Sequence, residues 1–140
     1  MDELTTDYCI ISIDLNGLKI VNDKFGHPSG DKYIKDFSKV LISTFGDVGM
    51  CARIGGDEFL VIIRDSVGKD IELLLGRMDS ALNVMNALYP EYQRSVATGH
   101  AFRHECGDKA TSHEVYLLAD QRMYEKKRKM HEELGIKNRL

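Results

Sequence analysis

The segment ARIGGDEFLVII, over residues 52–63, places two glycines and two acids between two apolar runs. Apolar, β-branched runs on either side of glycines are typical of two strands joined by a tight turn. We therefore predict a β-hairpin, with strands over about 51–54 and 59–64. Gly55 and Gly56 permit a positive φ and allow a ligand to approach the main chain closely. Asp57 and Glu58 give the tip oxygen ligands that suit a hard divalent cation, and hence a nucleotide phosphate.

A third acid ends an apolar run near the N-terminus. Residues 8–15 read YCIISIDL, which predicts a buried strand with Asp14 near its end. If this strand lies beside the hairpin, Asp14 can meet Asp57 and Glu58. Three carboxylates at one point repel one another unless a cation lies between them, and Mg²⁺ would also bring a polyphosphate. The alternatives are a strand-end cap for Asp14 and a solvated turn for the hairpin pair.

The rest of the chain shows further helical and strand patterns. Apolar residues recur at helical spacing in the longer segments. The order of elements, βααββαβα, indicates an α/β (α+β) fold, in which a ferredoxin-like or palm-type sheet with antiparallel pairs is flanked by helices and carries the hairpin. The predicted helices are 19–25, 31–44, 70–88 and 112–134, and the predicted last strand is 95–103.

Composition sets bounds on what the chain can do. Its 140 residues suffice for one domain over 1–140 with a real core, and the net charge of −3 argues against a broad nucleic-acid-binding face. No apolar run is long enough to span a bilayer, so we expect no membrane contact from this domain. The three cysteines lack metal-type spacing and indicate a reducing, cytoplasmic location. A longer parent protein could still be anchored in a membrane.

An ordered set of short motifs extends over nearly the whole chain. The motifs are DLNGLKIVND at 14–23, Gly26-His27, Gly30-Asp31, GGDEF at 55–59, Thr98-Gly99, Ala119-Asp120, Met123-Tyr124 and Lys127. In this order and spacing the chain resembles a GGDEF domain, the diguanylate cyclase family. The resemblance implies an enzyme that condenses two GTP molecules into cyclic di-GMP and releases pyrophosphate. It also implies Mg²⁺ or Mn²⁺ as the cofactor and an active site formed between the two chains of a homodimer.

The resemblance further implies which residues carry the chemistry. Asp14 and Glu58 resemble the family's carboxylate metal ligands, and the backbone carbonyl of Leu15 resembles another ligand. Asp57 resembles the residue that helps to hold the metal and assists deprotonation of the attacking hydroxyl. We therefore expect Asp14, Asp57 and Glu58 to be the catalytic residues.

Substrate phosphates are expected at four positions. Gly17 and Leu18 resemble residues whose backbone N–H groups face the β- and γ-phosphates, and turn amides are good anion donors. Lys19 is expected to add positive charge to this site; the alternative is a solvated lysine at the start of a helix. Lys127 resembles the lysine that reaches the terminal phosphates from the last helix, although a run of basic residues can also be a solvated helix end.

The guanine base and the ribose are expected at further positions. Asn22 and Asp31 resemble the guanine readers, and a carboxylate suits guanine because adenine lacks the N1 and N2 donors. Taken singly, Asn22 is a helix-surface residue and Asp31 an acid at a helix start. His27 is placed near the ribose or phosphate, with a structural loop histidine as the alternative. Gly55 and Gly56 complete the expected substrate site.

Three departures from the family pattern stand out. His131 replaces an arginine that contacts phosphate in many members. The segment Asp2-Glu3-Leu4-Thr5 matches an upstream family motif, but Thr5 lies only nine positions before Asp14, too few for the helix between them. We therefore treat the match as chance and expect a domain from a longer signalling protein with an N-terminal sensory or regulatory part. Gly46 and Gly49 occupy the positions of a family product-inhibition site, so we predict no feedback there.

Two functions other than diguanylate cyclase are therefore also considered. One is a GGDEF domain with little or no turnover that acts as a GTP sensor or a protein-interaction module. The other is a related nucleotidyl cyclase or polymerase palm with a different substrate, which would share the metal-binding acids without needing Asn22 and Asp31.

Overall fold

The computed structural model describes residues 7–139, with side chains to residue 133. The segment from Asp2 to Thr5 lies outside the described residues. The elements are β1 (Cys9–Leu15), α1 (Leu18–Phe25), α2 (His27–Phe45), β2 (Met50–Arg53), β3 (Glu58–Ile63), α3 (Ile71–Leu88), β4 (Val96–Phe102), α4 (Arg103–Cys106) and α5 (Ser112–Arg139). Among them, no helix is long and apolar enough to cross a membrane.

The strands form one antiparallel sheet in the order β2-β3-β1-β4. This is the ferredoxin-like arrangement, so the predicted fold class is confirmed. β1 lies at the centre because its sequence is apolar on both faces, and every one of its residues is buried. The predicted hairpin is β2 and β3.

The two faces of the sheet are covered differently. Alternate residues of β1, including Ile11 and Ile13, point into a large core that also contains Phe37 and Met78 from α2 and α3. The other face packs on α5, with Ile10 in a smaller core. Because side chains alternate along a strand, Asp14 falls on the same face as Ile10 and points toward α5.

The boundaries differ from prediction mainly at α2 and after β4. α2 begins at His27 rather than 31, because Pro28 lies in its first turn, where the missing N–H costs nothing. Asp31 is therefore in the second turn, and its description as a helix-start acid is wrong. The chain turns into α4 directly after β4, where the Glu105 carboxylate accepts from the Phe102 N–H at 3.0 Å.

Candidate active site

Three carboxylates meet where β1 ends. Oxygen atoms of Asp14, Asp57 and Glu58 all lie within 4.8 Å of one another; we call this group the acid cluster. Asp14 is buried, with 6% of its surface exposed, and the other two are half-buried. Clustered carboxylate oxygens in a partly buried place are ligands that Mg²⁺ and related hard cations prefer.

Strand register brings the acids together. Asp14 on β1 lies directly opposite Glu58 on β3 in the antiparallel ladder. The Leu15 N–H donates to the Asp57 carbonyl at 2.8 Å, which fixes the hairpin tip against the end of β1. The sequence predicted that Asp14 and Glu58 lie close together, because Asp14 lies at the end of one strand-like run and Glu58 at the start of another.

The hairpin tip is held by its own backbone and by one arginine. The Ile54 N–H donates to the Glu58 carbonyl at 2.9 Å. The Arg53 guanidinium donates to the carbonyls of Gly55 and Gly56, both at 3.0 Å. Sequence reasoning missed this role of Arg53, although its place two residues before the glycines was a signal.

Of the two roles expected of the glycines at the tip, the positive φ is not found. Among the described residues, positive φ angles occur at Gly17, Gly26, Gly68 and Gly107, so a positive φ at Gly55 or Gly56 is not found. A Cβ at Gly56 would meet nothing within 4 Å, and neither position is crowded by backbone. Close approach of a ligand at Gly55 and Gly56 therefore stays a prediction.

The negative charge of Asp14 is only partly compensated by its surroundings. Burial raises the pKa of Asp14; the hydrogen bond from Lys127 lowers it in part, and the neighbouring Asp57 raises it again. The Lys127 Nζ lies 3.0 Å from Asp14 Oδ2 and donates to the Leu15 carbonyl at 3.3 Å. Asp14 Oδ1 is buried without a hydrogen-bond partner among the described residues. A buried carboxylate oxygen without a partner fits a cation ligand.

A cavity of about 600 Å³ adjoins the acid cluster. Its size falls in the usual range for small-molecule sites. Four predicted substrate residues line it, and positive charge comes from Lys19 and Lys127. The lining residues are Leu15, Asn16, Gly17, Leu18, Lys19, Ile20, Asp57, Gln93, Ser95, Lys127 and His131. The cavity thus combines the amides at the start of α1 with cationic side chains, a combination suited to an anion.

One wall of the cavity depends on a buried tyrosine. The Tyr33 hydroxyl lies 2.8 Å from the Asn16 carbonyl and 2.9 Å from the Ser95 carbonyl, and it accepts from the Ser95 N–H at 3.1 Å. Asn16 Nδ2 also donates to Ser95 Oγ at 3.0 Å. Burial raises the pKa of Tyr33 to about 12, which keeps the donor protonated. The sequence analysis assigned Tyr33 no role, although a buried tyrosine usually needs a polar partner.

The remaining predicted residues lie apart from this lining. Asn22 on α1 is half-buried, and its Oδ1 lies 1.7 Å from where a Cβ of Gly30 would be, so it packs over the turn that precedes Asp31. Asp31 and His27 are exposed on the first two turns of α2. The structure therefore brings Asn22 next to the helical turn of Asp31, and neither residue lines the cavity.

Comparison with known proteins agrees with the fold and the motifs. The family model "Diguanylate cyclase, GGDEF domain" matches residues 2–133, and the chain belongs to the GGDEF domain family. It is 33% identical over 118 residues to "Diguanylate cyclase DgcS" of Shewanella oneidensis, covering 84% of this chain and 38% of DgcS. It is 30% identical over 126 residues to "Probable diguanylate cyclase DgcT" of Escherichia coli, covering 87% of this chain and 27% of DgcT.

A solved structure shows the same fold. The "active GGEEF domain of a diguanylate cyclase from Vibrio cholerae" superposes with a TM-score of 0.74 at 24% identity, over 90% of this chain and 80% of that one. The chain spans well under half the length of the two curated relatives above.

Proposed function

We propose that this domain is a diguanylate cyclase that joins two GTP molecules into cyclic di-GMP and releases pyrophosphate. One observation carries the proposal: Asp14, Asp57 and Glu58 converge within 4.8 Å beside a cavity lined by amides and lysines. In-line displacement at a phosphate needs charge neutralisation and positioning more than it needs covalent chemistry, and this arrangement offers both. Membership of the GGDEF family supports the reaction class.

The acid cluster is the proposed metal site. Asp14, Glu58 and the Leu15 carbonyl would hold Mg²⁺, or Mn²⁺ in its place. When bound, the metal supplies Lewis-acid stabilisation of charge on the reacting phosphate. Asp57, whose carbonyl is fixed by the Leu15 N–H, would assist deprotonation of the attacking 3′-hydroxyl.

The cavity is the proposed site of the triphosphate. The backbone N–H groups of Gly17 and Leu18 lie at the start of α1, where unpaired amides bind anions. Lys19 and Lys127 would add positive charge, and the open glycine tip at Gly55 would admit the nucleotide. Because the two amides and the two lysines line one continuous space, they can bind a single extended polyanion.

The guanine is proposed to lie at the junction of α1 and α2. Asn22 and Asp31 would read its edge, and His27 would lie near the ribose or phosphate. Asp31→Ser tests this assignment: the ratio of GTP to ATP binding should fall in the variant, measured by calorimetry. An unchanged base preference would contradict the guanine assignment and favour a palm with another substrate.

Turnover is proposed to require two copies of the chain. Each copy holds one GTP, so the ribose 3′-hydroxyl of one must meet the α-phosphate of the other. The expected assembly is a homodimer in which two acid clusters face each other, transient if the isolated domain associates weakly. A regulatory part at the N-terminal side belongs to the same proposal, and the greater length of the curated relatives supports it. The proposed location is cytoplasmic, as the three cysteines without a disulfide framework suggest.

The direct experiment mixes concentrated protein with GTP and Mg²⁺ and detects cyclic di-GMP by mass spectrometry. The rate per chain should rise with protein concentration, because the product needs two half-sites. The double variant Asp57→Ala, Glu58→Ala should give no product. A rate per chain that is constant from low concentration upward would contradict the two-chain site.

One observation favours a second candidate, a GTP-binding sensor. His131 lines the cavity where many members carry an arginine, so binding of the phosphates is expected to be weaker than in those members. Magnesium-dependent GTP binding without product, even in concentrated protein, would select the sensor. Product formation in the same sample would exclude it.

A further inference from the structure

Lys127 makes contacts that a phosphate-binding lysine does not require. Its Nζ is 3.0 Å from Asp14 Oδ2 and 3.3 Å from the Leu15 carbonyl oxygen. These two oxygens belong to the groups proposed as metal ligands. The side chain is only 18% exposed, so the ammonium lies against Asp14 and the Leu15 carbonyl rather than free in solvent.

The surrounding charges explain this position. Three carboxylates within 4.8 Å repel one another, and Asp14 is among the buried groups of the chain. An ammonium group is a compact point charge on a flexible stem, so it can occupy a cation position and later leave it. Lys127 is the one lysine or arginine among the described residues that forms an ion pair with the acid cluster.

We propose that Lys127 is an internal counter-ion that occupies the cation position of the acid cluster and leaves it when metal and nucleotide bind. The inference rests on the proposed function, because it takes Asp14 and Leu15 as metal ligands. The ammonium and a divalent cation would share the Asp14 carboxylate and the Leu15 carbonyl, and their like charges repel at this separation, so they compete. Once displaced, the ammonium remains beside the cavity, where the triphosphate is expected.

This exchange predicts opposite effects of one substitution. Lys127→Met removes the competing charge, so the nucleotide-free protein should bind metal more tightly. The same change removes a phosphate partner, so GTP should bind less tightly. A lysine that only braced α5 against β1 would not tighten metal binding when it is removed.

The experiment measures Mn²⁺ binding without nucleotide by electron paramagnetic resonance, and GTP binding at saturating Mg²⁺ by calorimetry. In Lys127→Met, we expect Mn²⁺ affinity to rise about tenfold and GTP affinity to fall about tenfold, within the usual range for coupled sites. Lys127→Arg keeps the charge and should leave Mn²⁺ affinity within about twofold of the unmodified chain. Melting curves establish that each variant is folded.

Two controls make the outcomes distinct. Lys126→Met removes the same charge one residue away, from the groove that contains Asp79, and should not change Mn²⁺ affinity. Glu58→Gln should weaken Mn²⁺ binding in any case. If Glu58→Gln weakens binding but Lys127→Met does not strengthen it, the counter-ion role is overturned and the metal site stands. If Glu58→Gln has no effect, the proposed metal site fails and the counter-ion role fails with it.

Discussion

The two ends of β1 carry charged groups that are organised in opposite ways. Before Cys9 lies a group that we call the paired cluster: Asp7, Arg103, His104, Glu105 and Arg122. Within it, Asp7 binds the His104 ring and its N–H, and Glu105 meets Arg122 through two hydrogen bonds of 2.7 and 3.1 Å. At the other end lie the three carboxylates of the acid cluster, and one lysine, Lys127, forms an ion pair with Asp14.

The pKa shifts of the carboxylates record this contrast. The hydrogen bond from Arg122 is the main reason why the pKa of Glu105 is lowered to about 2. Burial is the main reason why the pKa of Asp14 is raised. A carboxylate that is paired with a cationic side chain can contribute to the stability of the fold. A buried carboxylate without enough positive charge beside it lowers that stability unless a cation binds there. We infer that the paired cluster fixes the fold and that the acid cluster is kept for a ligand.

The largest expected effect is on turnover at the acid end. Asp14→Asn keeps the side-chain volume but removes a proposed metal ligand, so the rate of cyclic di-GMP formation should fall by about a hundredfold or more. Asp79→Asn is the control, because it removes the same charge from an exposed position on α3 that belongs to no acid cluster among the described residues. A variant Asp14→Asn with more than half of the original rate would refute the role of this end.

The next largest effect is expected on stability, from a substitution at the contact between β4 and α5, the helix that reaches both ends of β1. α5 carries Lys127 to the acid cluster and Arg122 to the paired cluster, and it packs closely on Gly99. A Cβ at Gly99 would lie 2.2 Å from the Met123 nitrogen and 2.3 Å from the Ala119 carbonyl oxygen, both backbone atoms. Gly99→Ala should therefore lower the free energy of unfolding by about 2–3 kcal/mol, measured by urea denaturation.

A second glycine provides the control for this substitution. Gly76 is exposed on α3, and a Cβ there would meet nothing within 4 Å. Gly76→Ala should raise the free energy of unfolding by about 0.5–1 kcal/mol, because alanine has the higher helix propensity. Equal effects of the two substitutions would show that α5 does not need its close contact with β4.

A smaller effect is expected on nucleotide affinity. His131 lines the cavity beside Lys127, and a guanidinium there could make two parallel hydrogen bonds to a phosphate. His131→Arg should tighten GTP binding about tenfold, measured by calorimetry. His113→Arg, at the exposed start of the same helix, should leave it unchanged. No gain from His131→Arg would place the phosphates elsewhere in the molecule.

The smallest effect concerns pH at the paired end. The pKa of Glu105 is about 2, below its ordinary value of 4.5, so its contribution to stability is present above pH 4.5 and is lost as the pH falls toward 2. Glu105→Gln should lower the free energy of unfolding by about 1 kcal/mol at pH 7, as for a partly exposed ion pair. Thermal melts should show this difference shrinking as the pH approaches 2. A difference that does not change with pH would mean that the charge of Glu105 is unimportant.

Local patterns were enough to predict the acid cluster and the order of elements, except for the short helix α4. Asp14 ends an apolar run and Glu58 begins another, so pairing of the two strands brings the acids together without knowledge of the rest of the fold. The start of α2 was missed because Gly26-His27-Pro28 has the composition of a loop, although proline is compatible with a first helical turn.

Contacts between distant parts of the chain could not be predicted in this way. The bond from Lys127 to Leu15 joins residues 112 positions apart, and that between His104 and Asp7 joins residues 97 apart. Each depends on how α5 or α4 lies against the sheet. The placement of α5 depends on close packing at Gly99 and Ala119 rather than on any periodicity in the sequence.

The central claim is that one end of β1 is catalytic and the other is structural. Glu58→Gln and Glu105→Gln each remove one negative charge from opposite ends, so measuring cyclic di-GMP formation and melting temperature on both variants tests it directly. We predict that Glu58→Gln abolishes product formation without lowering the melting temperature, and that Glu105→Gln lowers the melting temperature while product formation continues. Product formation by Glu58→Gln at the original rate would contradict the account.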